Sequence, residues 1–266
     1  MSDFKALVDI HCHLLPGIDD GAANWEEVLA MARLAVGDGI STIVATPHQL
    51  GTYGRNRGEA IRELAREAQA LLRKHKVPLS VLPGADVRVE PDMIGKIRSG
   101  EVLTLGDRGR YVLLELPHEL YLPLERLLAD MEAAGLVGVL SHPERNLGIL
   151  RRPEVVKHLV DRGLLLQVTA GSILGTFGRE AKDLAERLLE HGLVHFVATD
   201  AHGSKSRRPR LGRAMERLCE LVGRCEAEAL CCDNPARVAA GRLVEQGPRR
   251  AARAGLFSWF RRRRAG

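Results

Sequence analysis

ALVDIHCHLLPGIDDGAANWEEVLAMARLAVGDGISTIVATPH, residues 6–48, reads as one strand–helix–strand unit. Ala6 to Ile10 and Ile40 to Thr46 are short apolar, β-branched runs. Between them, Asn24 to Val36 carries apolar residues at helical spacing and ends at Gly37 and Gly39. Asn24 with Glu27 three residues on predicts a capping box, which fixes the helix start and leaves Leu14 to Ala23 as an acid-bearing loop. The same grammar recurs along the chain. Further apolar runs lie at Leu79 to Ala85, Tyr111 to Leu116, Leu136 to Ser141, Leu164 to Thr169 and Val194 to Thr199, so seven strands are expected. Helical patterns closed by glycine, such as Leu124 to Ala134 and Ala181 to Glu190, separate them.

Near-continuous apolar strands alternating with helices imply an α/β protein whose parallel sheet is covered by helices. At 266 residues a distorted TIM-like barrel of about seven parallel strands is the economical form, and a doubly wound open sheet is the alternative. The placement of polar residues separates the two. His11, His13, His48, Asp86, Glu115, His142, Asp200 and His202 fall at or just after the C-terminal ends of six different strands, and in a barrel those ends share one mouth.

The chain carries a net charge of +5, but seven arginines and no acid follow Gln246, so residues 1–246 carry −2. Residues 1–246 are therefore expected to form the folded domain and 247–266 a basic, aromatic tail. Only three tyrosines, two tryptophans and five phenylalanines are present, which leaves little surface for base stacking; no nucleic-acid partner is expected. There is no apolar run of membrane-spanning length and no signal-peptide layout, so a cytosolic location is expected. Five cysteines without CxxC spacing read as reduced thiols.

On a strand end, residues i and i+2 point to one side, so His11 and His13 can reach one cation while Cys12 points away. Thr46-Pro47-His48, the SHPERN segment from Ser141 to Asn146, and Thr199-Asp200-Ala201-His202 repeat the pattern. With Asp20, Asp86 and Glu115 they supply nine N/O donors, too many for one ion. Such a set suits two or three clustered divalent ions, with manganese the first expectation and iron or zinc the alternatives.

DIHCHLLPGIDDG, ATPH, PGADV, LLEL, SHPERN, ATDAH and the terminal DNP resemble the polymerase and histidinol phosphatase (PHP) superfamily. Within it the chain most resembles the bacterial metal-dependent protein-tyrosine phosphatases of capsular and exopolysaccharide gene clusters, from about Val8 to Val238. The resemblance implies a distorted seven-stranded barrel and a trinuclear site with His11, His13, Asp20, His48, Glu115, His142, Asp200 and His202 as ligands. Asp86 falls where the family has a glutamate bridging two metals, one methylene shorter here. Arg145 and Arg208 match phosphate-gripping arginines, and Arg207 has an equal claim.

Phosphomonoester hydrolysis then follows from metal-activated water, with guanidinium groups on the phosphoryl oxygens. The implied substrate is the phosphotyrosine tail of a bacterial polysaccharide-assembly tyrosine kinase. A small-molecule phosphatase of histidinol-phosphate type, a phosphodiesterase, or a non-catalytic metal-stabilised scaffold are the alternatives. CCDNPAR, Cys231 to Arg237, fits the C-x5-R spacing of cysteine-dependent phosphatases. Asp233 would repel both thiolate and phosphate, however, and Pro235 has no N–H to give, so that reading is rejected. In the tail, Leu256, Phe257, Trp259 and Phe260 beside Arg261 to Arg264 predict a contact with an anionic membrane surface.

Overall fold

Strands that are apolar on both faces need cover on both, and the chain supplies it by placing helices outside and side chains within. The computed structural model describes residues 5–244. Its strands are β1 (Leu7–Cys12), β2 (Ile40–Ala45), β3 (His48–Gln49), β4 (Ser80–Pro83), β5 (Asp86–Arg88), β6 (Tyr111–Glu115), β7 (Val137–Ser141), β8 (Leu165–Thr169) and β9 (Phe196–Ala198). The nine strands are the seven expected runs plus two short continuations, β3 after β2 and β5 after β4. Pro47 marks one break. At the other, Gly84 lies so close to β2 that a Cβ there would meet Val44 Cγ1 at 2.7 Å.

Every pairing between these nine strands is parallel. One sheet has the order β1-β2-β4 and the other β3-β5-β6-β7-β8-β9. The circuit of neighbours returns to β1 through a single bridge, Cys12 to Ala201. Asp200 N donates to His11 O and His13 N to Ala201 O, each at 2.8 Å. The result is an α/β barrel-like circuit joined at its last seam by a bridge and loop instead of a ladder.

Inside the circuit Val8, Ile10, Val44, Leu113, Val139, Leu165, Phe196 and Ala198 form a buried cluster with Leu105, Tyr111, Val238 and Ala239. A larger layer, including Leu7, Cys12, Val28, Met31, Ala35 and Ile43, packs strands against helices. Burying each large aliphatic side chain contributes about 1.5–3 kcal/mol, so these two layers carry much of the stability.

The first helix is Trp25–Gly37, and Asn24 caps it by accepting from Glu27 N at 2.9 Å. The other half of the expected capping box is absent. The Glu27 carboxylate instead accepts from Ser204 N at 2.5 Å and Ser204 Oγ at 3.0 Å, tying this helix to the loop that carries His202. Among the described residues no helix is long and apolar enough to cross a membrane. The tail from 247 to 266, with its expected membrane contact, lies outside the described residues.

Candidate metal centre

Alternation along β1 would place His11 opposite Ile10. The register between Asp9 and Cys12 slips, however, and Ile10 joins the interior cluster while Cys12 joins the outer layer with Leu7. A β-bulge of this kind re-aims side chains where pairing ends. Ile10 therefore caps the apolar interior, and the fully buried His11 and His13 begin the polar mouth. The other strand ends are similarly bent: His142 (φ 31°) and Asp200 (φ 52°) both take left-handed backbone, an unfavourable conformation typical of functional sites.

These ends bring all nine expected donors together in four overlapping groups. They are His11, His13 and Asp86; His11, His142 and Asp200; His48, Asp86 and Glu115; and His13, Asp20, His48 and His202. Within each group the donor atoms lie within 4.8 Å of one another. His11 Nε2 is 3.2 Å from Asp200 Oδ1 and 3.5 Å from Asp86 Oδ2. His48 Nδ1 is 3.5 Å from Asp86 and 3.6 Å from Glu115. Asp20 Oδ1 lies between His48 and His202, at 3.5 and 3.4 Å.

Three imidazoles are fixed from behind. His11 Nδ1 meets Gln167 Oε1 at 2.8 Å, His13 Nδ1 meets Asp19 Oδ2 at 2.7 Å, and His202 Nδ1 meets the Asp200 carbonyl at 3.0 Å. Each contact suits an Nδ1–H donor and leaves Nε2 as the ring nitrogen facing inward, the arrangement that supports metal-bound histidine. Two such nitrogens, on His11 and His13, face each other at 3.3 Å. Neither carboxylate oxygen of fully buried Asp86 has a hydrogen-bond partner. An unpartnered buried carboxylate facing converging ring nitrogens is a donor set suited to cations, so the residues fit a cluster of divalent ions.

The charges respond to this crowding. Burial alone would lower His13, but Asp19 and Asp200 overcome it and raise it to about 10. Burial, then the neighbouring Asp86 charge, pushes Glu115 up to about 8. Burial and Arg145 hold His142 down at about 3, so its imidazole stays neutral. Asp86 resists its burial and falls to about 2 because of His11 and His48.

Asp19, not singled out in the sequence, accepts from Gly21 N at 2.9 Å and His48 N at 3.1 Å besides holding His13. Gly21 permits this turn, since a Cβ there would meet the His13 carbonyl at 2.2 Å. Asp9 accepts from Thr199 N and His11 N behind the mouth. Gln167 and Asp9 each interrupt an otherwise apolar strand, a signal the sequence did carry.

A cavity of about 170 Å³ opens over the cluster, lined in part by Asp20, His48, Glu115, His142, Asp200, His202, Arg145 and Arg207. Both arginines bind Asp200 Oδ2, through Nη1 and Nη2 respectively. Arg208 is not with them: it is exposed, and its Nε donates to the Lys205 carbonyl at 3.0 Å. Arg207 takes left-handed backbone (φ 46°), and its carbonyl accepts from His202 N, which turns residue 207 and not 208 into the mouth. His118 lies exposed on the cavity rim. Cys231 is fully buried in a turn of π-helix, Ala229–Asp233, and burial raises its thiol well above its ordinary range. It holds no thiolate for a cysteine mechanism.

The sequence model of the capsular polysaccharide synthesis family CpsB/CapC matches residues 7–240. The chain is 37% identical to the tyrosine-protein phosphatase YwqE of Bacillus subtilis (strain 168) over 96% of its own length and all of the relative's. It is 28% identical to the tyrosine-protein phosphatase CpsB of Streptococcus pneumoniae, over 90% of this chain and all of that one. A crystal structure from work on YwqE of B. subtilis and CpsB of S. pneumoniae, described as unique metal-dependent tyrosine phosphatases, superposes with a TM-score of 0.87. It shares 36% identity over 92% of this chain and 98% of its own.

Proposed function

The chain belongs to the capsular polysaccharide synthesis family CpsB/CapC, and from that membership we propose that it is a metal-dependent protein-tyrosine phosphatase, a phosphoric monoester hydrolase. The single observation that carries the reading is the convergence of nine N/O donors and two guanidinium groups on one mouth. His11, His13, Asp20, His48, Asp86, Glu115, His142, Asp200 and His202 would hold two or three divalent ions, manganese first among them. Bound there, such ions would supply an activated water as nucleophile and charge to offset that on the phosphoryl oxygens.

The chain's own groups do the rest. Asp200 holds Arg145 and Arg207 at the edge of the cluster, where their planar forks suit the equatorial phosphoryl oxygens. Neutral His142 keeps a lone pair directed into the site. Gln167 and Asp19 lock the His11 and His13 rings. No side-chain nucleophile is required. The substrate is the phosphotyrosine tail of a polysaccharide-assembly kinase, met at the cytosolic face of the membrane.

The decisive experiment compares hydrolysis of a phosphotyrosine peptide and histidinol phosphate by the same preparation, with Mn, Fe, Zn or chelator. Metal-restored turnover favouring the peptide is expected. Preference for histidinol phosphate, or peptide turnover that survives chelation, overturns the reading.

A further inference from the structure

Two arginines share one carboxylate oxygen of Asp200, and one aromatic ring lies against both of them. The Arg145 guanidinium carbon lies 4.2 Å from the centroid of the Phe177 ring. Arg207 approaches the same ring at 6.0 Å. An aromatic face carries negative quadrupole density, so one ring can hold two cations that would otherwise separate.

The loop that presents Phe177 is built for close approach. It follows the short helix Ala170–Ile173 and is tied back by Thr176 N to Gly171 O at 2.8 Å and Gly178 N to Gly175 O at 3.2 Å. Gly171 faces the ring: a Cβ there would meet Phe177 Cε2 at 2.7 Å. The same helix fixes the segment carrying Arg145. The carboxylate of Glu144 accepts from Thr169 N at 3.0 Å and Ser172 Oγ at 2.7 Å, so the ring and the guanidinium are mounted on one support.

We propose that Phe177 is a positioning residue that holds Arg145 and Arg207 as a two-pronged phosphate clamp. The inference rests on the phosphatase reading for its substrate, but the clamp itself is a statement about phosphate binding. When a phosphoryl group enters, the guanidinium groups exchange Asp200 for its oxygens while the ring keeps their stems in place. Phe177 is not among the donors of the cluster and acts through the two arginines.

The test measures inorganic phosphate binding to the full-length, Mn-loaded protein by calorimetry, beside KM and kcat for a phosphotyrosine peptide. Phe177→Leu keeps apolar bulk but removes the ring face, and should weaken phosphate binding about five- to tenfold. KM should rise by a similar factor and kcat should fall less. Phe177→Tyr should stay within about twofold of the wild type. Gly171→Ala, which displaces the ring without removing it, should weaken phosphate in the same direction. In an Arg145→Ala background the effect of Phe177→Leu should shrink to below about twofold, because the principal cation on the ring is gone. Unchanged phosphate affinity in Phe177→Leu overturns the proposal, as does an equal loss with and without Arg145. Because phosphate binding is read without turnover, a protein with this pattern that ignores phosphotyrosine sinks the substrate assignment and leaves the clamp standing.

Discussion

The two ends of the strand circuit differ as sharply as any two parts of this chain. In the interior below the mouth Val8, Leu113, Val139, Leu165 and Phe196 pack together without a charge among them. There the Tyr111 hydroxyl donates to Arg242 O and accepts from Val244 N, both at 3.0 Å. At the strand ends His11, Asp86 and Asp200 are just as buried, yet they bring ring nitrogens and carboxylate oxygens to face one another. Along β1 the change takes one peptide bond, from Ile10 to His11. The apolar end can therefore hold the fold while the polar end gathers the donors of the site.

The largest effect should come from breaking the polar end alone. Asp200→Ala removes a carboxylate that meets His11, His13 and both clamp arginines. Turnover of a phosphotyrosine peptide should fall by at least about a thousandfold, with less bound metal, while the far-ultraviolet spectrum is retained. Unfolding of this variant would show that the mouth also carries the fold. Phe196→Ala tests the other end. It should lower stability by about 3–5 kcal/mol in urea titrations, while metal affinity of the folded protein stays within about twofold. A large loss of metal affinity in that variant would break the division of labour.

The apolar end was the more legible in the sequence. Strand runs, helix stops and the parallel class follow from periodicity, because a side chain buried on both faces leaves a local signature. The mouth was legible in which residues it uses, since histidine and aspartate at strand ends are conspicuous. Its geometry was not. The bulge after Asp9 depends on how β1 pairs with β2, which is not written locally. Arg207 and Arg208 are chemically identical neighbours, and only the left-handed turn at residue 207 separates their roles. Glu27 satisfied a capping pattern, but a distant partner, Ser204, won the carboxylate.

A smaller effect should follow from disturbing what stands behind the ligands. Gln167 is fully buried, and its Oε1 fixes the His11 ring. Gln167→Leu keeps most of its volume and removes that contact, so metal affinity should fall about 10- to 100-fold, with turnover recovering at saturating metal. Unchanged affinity in a metal titration would mean that the strand ends alone orient His11.

Proton linkage sharpens the same point. In the metal-free cluster His13, near 10, and Glu115, near 8, both hold protons at pH 7. Metal binding must displace them, so apparent affinity should rise with pH, about tenfold per unit for each proton released between pH 6 and 7.5. Calorimetry in buffers of differing protonation enthalpy counts those protons, and one to two are expected. Release of none would mean that His13 stays protonated beside the ions and is not a ligand.

The smallest effect on metal is expected at Asp86, which is one methylene shorter than the glutamate that the family resemblance implies there. Asp86 pairs in register with His48 on β3 and Leu113 on β6, so its backbone is fixed between two strands. From there Oδ2 lies 3.5 Å from both His11 Nε2 and His48 Nδ1, and Asp86 belongs to two of the four donor groups. The short side chain already reaches both sides of the cluster. In Asp86→Glu the added methylene enters a position with no exposed surface, and overpacking there costs about 1–3 kcal/mol. Metal content at saturation should therefore stay within about twofold, while thermal stability of the metal-free protein falls. A clear gain of bound metal in the glutamate variant would show instead that the aspartate leaves one position of the cluster short of a ligand.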